Sequence, residues 1–240
     1  VNPTGYKQHR KEQSIKEANQ KRIRNLVLIT LAVLGLVVFL VYALQNKQSN
    51  SVDTTAETFE LDKQPMIGLP NAPITLVEFG DFKCPVCKQF ASAILPQLQK
   101  DYIDTGIVKM YFINYPFIAQ DSKIAALATE TVWAHKKEAA WPFIEAIYRN
   151  QEKEDTIWAT PEKLVDIARK ENLGIDYDKL LSDIKSAKQA AAVDADLSIV
   201  KKLNLTGTPS IFLNGKEVPL KTAFNYDEFK KLLDQAKGAK

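Results

Sequence analysis

Ile74-Thr75-Leu76-Val77-Glu78-Phe79-Gly80-Asp81-Phe82-Lys83-Cys84-Pro85-Val86-Cys87 is the stretch whose pattern changes decide the fold. Ile74–Phe79 is apolar and β-rich and predicts a strand. Cys84 to Lys100 follows a helical pattern, and Pro85 suits its first position because the N–H it lacks would be unpaired there anyway. A sulfur in a first helical turn meets free N–H groups and the positive end of the helix dipole, so its thiolate is stabilised. Cys87 lies about one turn further in, close enough for a disulfide yet more buried. That makes Cys84 the attacking nucleophile and Cys87 the thiol that resolves a mixed disulfide. Val86 stands between them, and Lys83 and Lys88 add positive charge nearby. Glu78 interrupts the strand on the face of Ile74 and Leu76. This predicts a buried acid of raised pKa, able to exchange a proton with Cys87. The bland alternatives are an incidental or metal-binding CxxC and a solvent-facing Glu78 on an edge strand.

These two cysteines are the only ones in 240 residues. A disulfide-stapled scaffold needs more of them, spread along the chain. A structural zinc site usually takes four ligands, and only His9 and His135 remain to complete one. No metal is therefore expected. The net charge of +3 is unevenly placed: residues 1–25 carry seven Lys and Arg against Glu12 and Glu17, a surplus of five, which leaves the rest of the chain at −2. The basic character belongs to the tail, so it bears on topology and gives no sign of a nucleic-acid partner.

Leu26 to Leu44 is an apolar run broken only by Thr30, Gly35 and Tyr42. As a helix it spans about 28 Å, close to the hydrocarbon thickness of a bilayer. With the basic cluster before it, the run reads as a single transmembrane anchor in contact with membrane lipid. Residues 1–25 then form a cytoplasmic tail, and the rest lies outside the cell membrane. A cleaved signal peptide has a shorter apolar region and a small-residue cleavage site, and no such site follows here. Residues 45–66 are polar and without periodicity and read as a flexible stalk.

The folded domain is expected from residue 67 to 240. A second strand is predicted at Ile107–Ile113, followed by a helical block. Its first helix carries Ile124, Leu127, Ala128, Thr131, Val132 and His135 at helical spacing. Others are expected at about 141–149, after Thr160-Pro161 with Gly174 beyond the end, at 176–186 and at 188–203. Ser210–Leu213 and Lys216–Leu220 flank Asn214-Gly215, a strong hairpin signal. Asn225 and Glu228 mark the start of a closing helix. The order is that of an α/β core with a helical insertion at about 117–187. Thr208-Pro209 opens the third predicted strand, as an ordinary edge proline or a cis one.

The run from Gly68-x-Pro70-x-Ala72-Pro73 through Cys87 resembles the opening signature of the DsbA family of thiol–disulfide oxidoreductases, in particular its membrane-anchored Gram-positive BdbD type. Thr206-Gly207-Thr208-Pro209-Ser210-Ile211-Phe212-Leu213-Asn214-Gly215 is similar to that family's cis-proline strand and hairpin. Ala125 to Gln151 resembles its helical insertion. The resemblance covers about residues 67–237 and implies a thioredoxin-like fold. It implies that Cys84 is the nucleophile, Cys87 the resolving thiol, Glu78 the buried acid and Pro209 the cis proline. It implies that the Thr208 backbone holds the substrate strand, with Pro85 and Val86 flanking the site. The redox-active disulfide is then the only cofactor. Reduced secreted proteins are the implied substrates, and a membrane quinone-linked thiol oxidase the implied reoxidant. Val86 departs from the pattern, since the strongest oxidants of the family carry His there. The resemblance therefore implies a weaker oxidant and leaves a tethered reductase open. Two non-enzyme readings remain: a metal carrier, and a peptide binder using a surface around Phe82, Val86 and Pro209.

Overall fold

The structure, a computed structural model, describes residues 30, 33–36 and 56–238. The chain divides between Ser51 and Val52 into two units. Of the first, only Thr30 and residues 33–36 are described, and they are helical. The basic tail and most of the predicted anchor lie outside the described residues, among which no helix is long and apolar enough to cross a membrane.

Five strands form a mixed sheet in the order β1-β3-β2-β4-β5. They are β1 (Met66–Ile67), β2 (Ile74–Gly80), β3 (Val108–Asn114), β4 (Ser210–Leu213) and β5 (Lys216–Val218). Central β2 runs parallel to β3 and antiparallel to β4. Having neighbours on both edges and layers on both faces, it is buried at six of its seven positions, which is why its sequence is nearly all apolar. Asn214 and Gly215 turn the β4–β5 hairpin with φ of 47° and 83°, the left-handed pair that a two-residue type I′ turn requires.

Helix α1 covers residues 85–103. It is α-helical at Pro85–Gln89 and Leu95–Leu98, with wider π turns at Phe90–Ile94 and Gln99–Ile103. The first wide turn comes just before Pro96, which has no N–H for a regular helical bond. Between β3 and β4 lie α2 (Gln120–His135), α3 (Lys137–Arg149), α4 (Pro161–Lys170), α5 (Tyr177–Lys185) and α6 (Ala190–Lys202). Short α7 (Leu220–Ala223) and α8 (Tyr226–Gly238) close the chain. Thr160 caps α4 and Asp176 caps α5 through their side chains. Beyond α4 it is Asn172, at φ 51°, that turns the chain first, with Gly174 following.

One face of the sheet, with Ile74, Leu76, Met110 and Phe112, packs against Phe90 and Leu98 of α1, Ile147 of α3 and Phe229 of α8. The other face, with Val77, Phe79 and Phe212, is covered by Ile199 and Val200 of α6 and by Phe59. The predicted insertion corresponds to α2–α5; α6 leaves that block to cover the second face. Leu220 begins α7 after Pro219 instead of extending β5.

The stalk assigned to residues 45–66 needs correcting in its described part, 56–66. Phe59 is 2% exposed and lies 5.9 Å from Phe79 and 5.3 Å from Phe212 between ring centroids. Gln64 Nε2 donates to Asp196 Oδ1 at 2.9 Å, and β1 pairs antiparallel with β3. The domain thus begins ahead of residue 67. One aromatic anchor and a two-residue strand are too short to show periodicity within a polar stretch.

Candidate active site

β2 runs straight into the turn that presents Cys84 at the start of α1. Cys84 is the N-cap of this helix, in extended backbone, and its sulfur accepts from the Cys87 N–H at 3.4 Å. The Cys84 thiol also donates to the Thr208 carbonyl at 3.4 Å. Both cysteines are buried and unbridged. The neighbouring Cys87 thiol, together with Thr208 and the Cys87 and Val86 backbone N–H groups, brings the Cys84 pKa down to about 6 against the opposing effect of burial. Burial pushes Cys87 well above the usual thiol range, reinforced by its bond to Cys84 and by Glu78. Glu78 is 3% exposed on the central strand, not on an edge, with Phe112 and Ile211 opposite it. Burial raises it to about 8, and the Cys84 charge adds to this.

Four buried polar side chains, Asp81, Lys83, Asp121 and Gln151, fix the turn. Asp81 Oδ1 accepts from the Lys83 N–H at 2.8 Å, while its Oδ2 accepts from Phe117 and Ile118 N–H, each at 3.0 Å. Lys83, expected to lend positive charge to the thiolate, is instead 1% exposed and paired with Asp121 at 3.1 Å, and it also donates to the Thr156 carbonyl. Asp121 itself accepts from Trp158 and Ala159 N–H. The buried Lys83 charge is thus neutralised locally. Gln151 Nε2 donates to the carbonyls of Phe82 at 2.7 Å and Cys84 at 3.0 Å, and Lys88 Nζ donates to the Gln151 carbonyl at 2.8 Å. None of Asp81, Asp121 and Gln151 was singled out from sequence as a site residue; apart from the Lys83 N–H beside Asp81, their partners lie 36 to 69 residues away.

Across from Cys84, the Thr208–Pro209 peptide bond is cis, and Pro209 leads into β4. Pro85 is the first residue of α1 and Val86, 40% exposed, the next. Phe117, 50% exposed, is held to the same turn by Asp81, and Ile157, 76% exposed, follows Thr156, whose carbonyl accepts from Lys83. Phe82, expected on that surface, is instead buried 5.0 Å from the Tyr148 ring. It follows β2 into the core under α3. The structure therefore brings together Glu78, Cys84, Cys87, Thr208 and Pro209, with Val86 at the rim.

A thioredoxin-like sheet that delivers a CxxC pair to a helix N-terminus, opposite a cis-proline loop, defines a protein thiol–disulfide oxidoreductase. The thioredoxin family pattern matches residues 60–235. Disulfide bond formation protein D of Bacillus subtilis is 37% identical over 190 residues, covering 79% of this chain and 84% of that protein. The crystal structure of oxidised BdbD from Bacillus subtilis superposes with a TM-score of 0.70 at 37% identity, covering 74% of this chain and 95% of that one. That of Chlamydia trachomatis DsbA gives 0.66 at 25% identity, covering 79% and 96%. The chain belongs to the BdbD branch of the DsbA-like thiol–disulfide oxidoreductases.

Proposed function

We propose that this protein introduces disulfide bonds into secreted or surface proteins outside the cytoplasm, by dithiol–disulfide exchange at Cys84 and Cys87. A substrate thiolate attacks Cys84 Sγ of the oxidised pair. A mixed disulfide forms, the Cys84–Cys87 bond breaks, and Cys87 leaves as a thiolate that takes a proton from Glu78. A second substrate thiolate then attacks the substrate sulfur of the mixed disulfide, and Cys84 departs as a thiolate. The substrate has lost two electrons and gained a disulfide; the protein is left as a dithiol. The observation that carries this reading is the contrast between the thiols, Cys84 lowered to about 6 and Cys87 raised by burial. A thiol of low pKa is the better leaving group. Thr208, whose carbonyl faces Cys84, offers backbone to a substrate strand, and Val86, Phe117 and Ile157 give it apolar contact.

Around this chemistry we place the apolar run Leu26–Leu44 as a membrane anchor in lipid, with the basic tail cytoplasmic and the domain outside. A membrane quinone-linked thiol oxidase restores the disulfide, and no other cofactor is needed. The test mixes oxidised protein with a reduced, unfolded secreted protein. Substrate thiols should disappear as the Cys84–Cys87 thiols appear, with Cys84→Ser inert and Cys87→Ser accumulating mixed disulfides when started from its reduced thiol and a substrate disulfide. Oxidised protein that leaves reduced substrate untouched, while reduced protein opens substrate disulfides, would reverse the direction to that of a reductase.

A further inference from the structure

Tyr148, on α3 of the helical insertion, reaches the sheet directly above Gly80. A Cβ built on Gly80 would lie 2.7 Å from the Tyr148 hydroxyl oxygen, so only glycine leaves room for it. Gly80 and Glu78 are two residues apart on β2 and therefore share a face, roughly 6–7 Å from each other along the strand. A glutamate side chain spans most of that distance. The Tyr148 ring is clamped by Phe82, at 5.0 Å, and by Phe112, at 6.2 Å, and Phe112 is the β3 residue paired with Glu78. The hydroxyl is thus held in one place. Tyr148 is 3% exposed, and neither its hydroxyl nor Glu78 Oε1 has a hydrogen-bond partner among the described residues. Buried polar atoms are rarely left so, and two of them over adjacent same-face positions leave a place for one enclosed water to bridge them.

We propose that Tyr148 is a positioning residue for the proton exchanged between Glu78 and Cys87, its hydroxyl donating to the Glu78 carboxyl through one enclosed water. The titratable groups facing Tyr148 are Cys87, Glu78, Asp81 and Cys84. Asp81 is occupied by three backbone N–H groups, and Lys83 is turned away toward Asp121. Burial holds the phenol in its protonated form, so it serves as a donor throughout the working pH range. A donor to the carboxylate favours ionised Glu78, the form able to accept a proton from Cys87. This role rests on the assignment of Glu78 proposed above.

The test is the reaction of reduced protein with the disulfide of 5-thio-2-nitrobenzoate. Cys84 attacks first and releases one coloured thiolate. Cys87 then attacks Cys84 Sγ, a Cys84–Cys87 bond forms, the second coloured thiolate leaves, and the Cys87 proton passes to Glu78. Tyr148→Phe keeps the ring and removes only the hydroxyl. The pH at which the second step reaches half its maximal rate should rise by roughly half to one unit, the scale of one hydrogen bond to a charged group. In a Glu78→Gln background the same change should shift nothing further. The infrared carbonyl band of protonated Glu78 should also move to higher frequency in Tyr148→Phe. An unmoved pH profile and band, or an equal shift with Glu78→Gln present, overturns the role of Tyr148 and leaves that of Glu78 standing. A second step indifferent to Glu78→Gln overturns both.

Discussion

The Cys84 sulfur is where the local geometry is converted into redox strength. A thiol at about 6 is roughly nine-tenths ionised at pH 7, against about one part in a hundred for a thiol at 9.0. Because its folded value is depressed, Cys84 stabilises the reduced protein fully only above pH 9, and that contribution is lost as pH falls through about 6. At pH 7 the thiolate is favoured, which stabilises the reduced protein and makes the disulfide the stronger oxidant. Alkylation of the reduced protein should therefore be half-maximal near pH 6 at Cys84, with Cys87 silent; preferential labelling of Cys87 would refute the assignment. Val86 supplies a backbone N–H to this sulfur and no charge, and its side chain is half-exposed. Val86→His should make the protein more oxidising by tens of millivolts in equilibrium with glutathione, roughly 30 mV for each 1.4 kcal/mol gained by the thiolate. A potential that stays put, or falls, would mean that residue 86 points away from the sulfur.

Helix α1 works as an element because its first turn is tied down from outside. Gln151, just beyond α3, bonds the carbonyls of Phe82 and Cys84, while Lys88 returns a bond from α1 to Gln151. Gln151→Leu leaves two buried carbonyls without this donor, and a cost of about 1–3 kcal/mol is expected as a lower urea midpoint. The Cys84 alkylation midpoint should also rise, since the helix N–H groups lose their fixed aim; a change in stability with no change in midpoint would make Gln151 merely a fold residue. Capping and turn signals such as Thr160 and Asn214-Gly215 were legible in sequence because each acts within a few residues. Cys84, Cys87 and the face of Glu78 were legible for the same reason: strand and helix periods place them. Gln151, Tyr148 and the burial of Lys83 were not, because each depends on a partner brought in by the insertion.

For the whole molecule, the N-terminal boundary is the feature that polar composition hid. Phe59 completes the second face of the sheet with Phe79 and Phe212, and Gln64 ties the same segment to Asp196. A chain starting at Gly68 should unfold at a lower denaturant midpoint than one starting at Ala56, by an amount on the order of a buried Phe, about 3–5 kcal/mol. Equal stability of the two would return residues 56–66 to the stalk.

The contact between Cys84 and the Thr208 carbonyl joins positions 124 residues apart. During synthesis, the helix that carries the cysteines leaves the ribosome long before β4 does. Until β4 pairs with β2, the sulfur has no peptide wall across from it, and no groove exists to seat another polypeptide. Competence therefore arrives late and all at once, with the docking of one short strand.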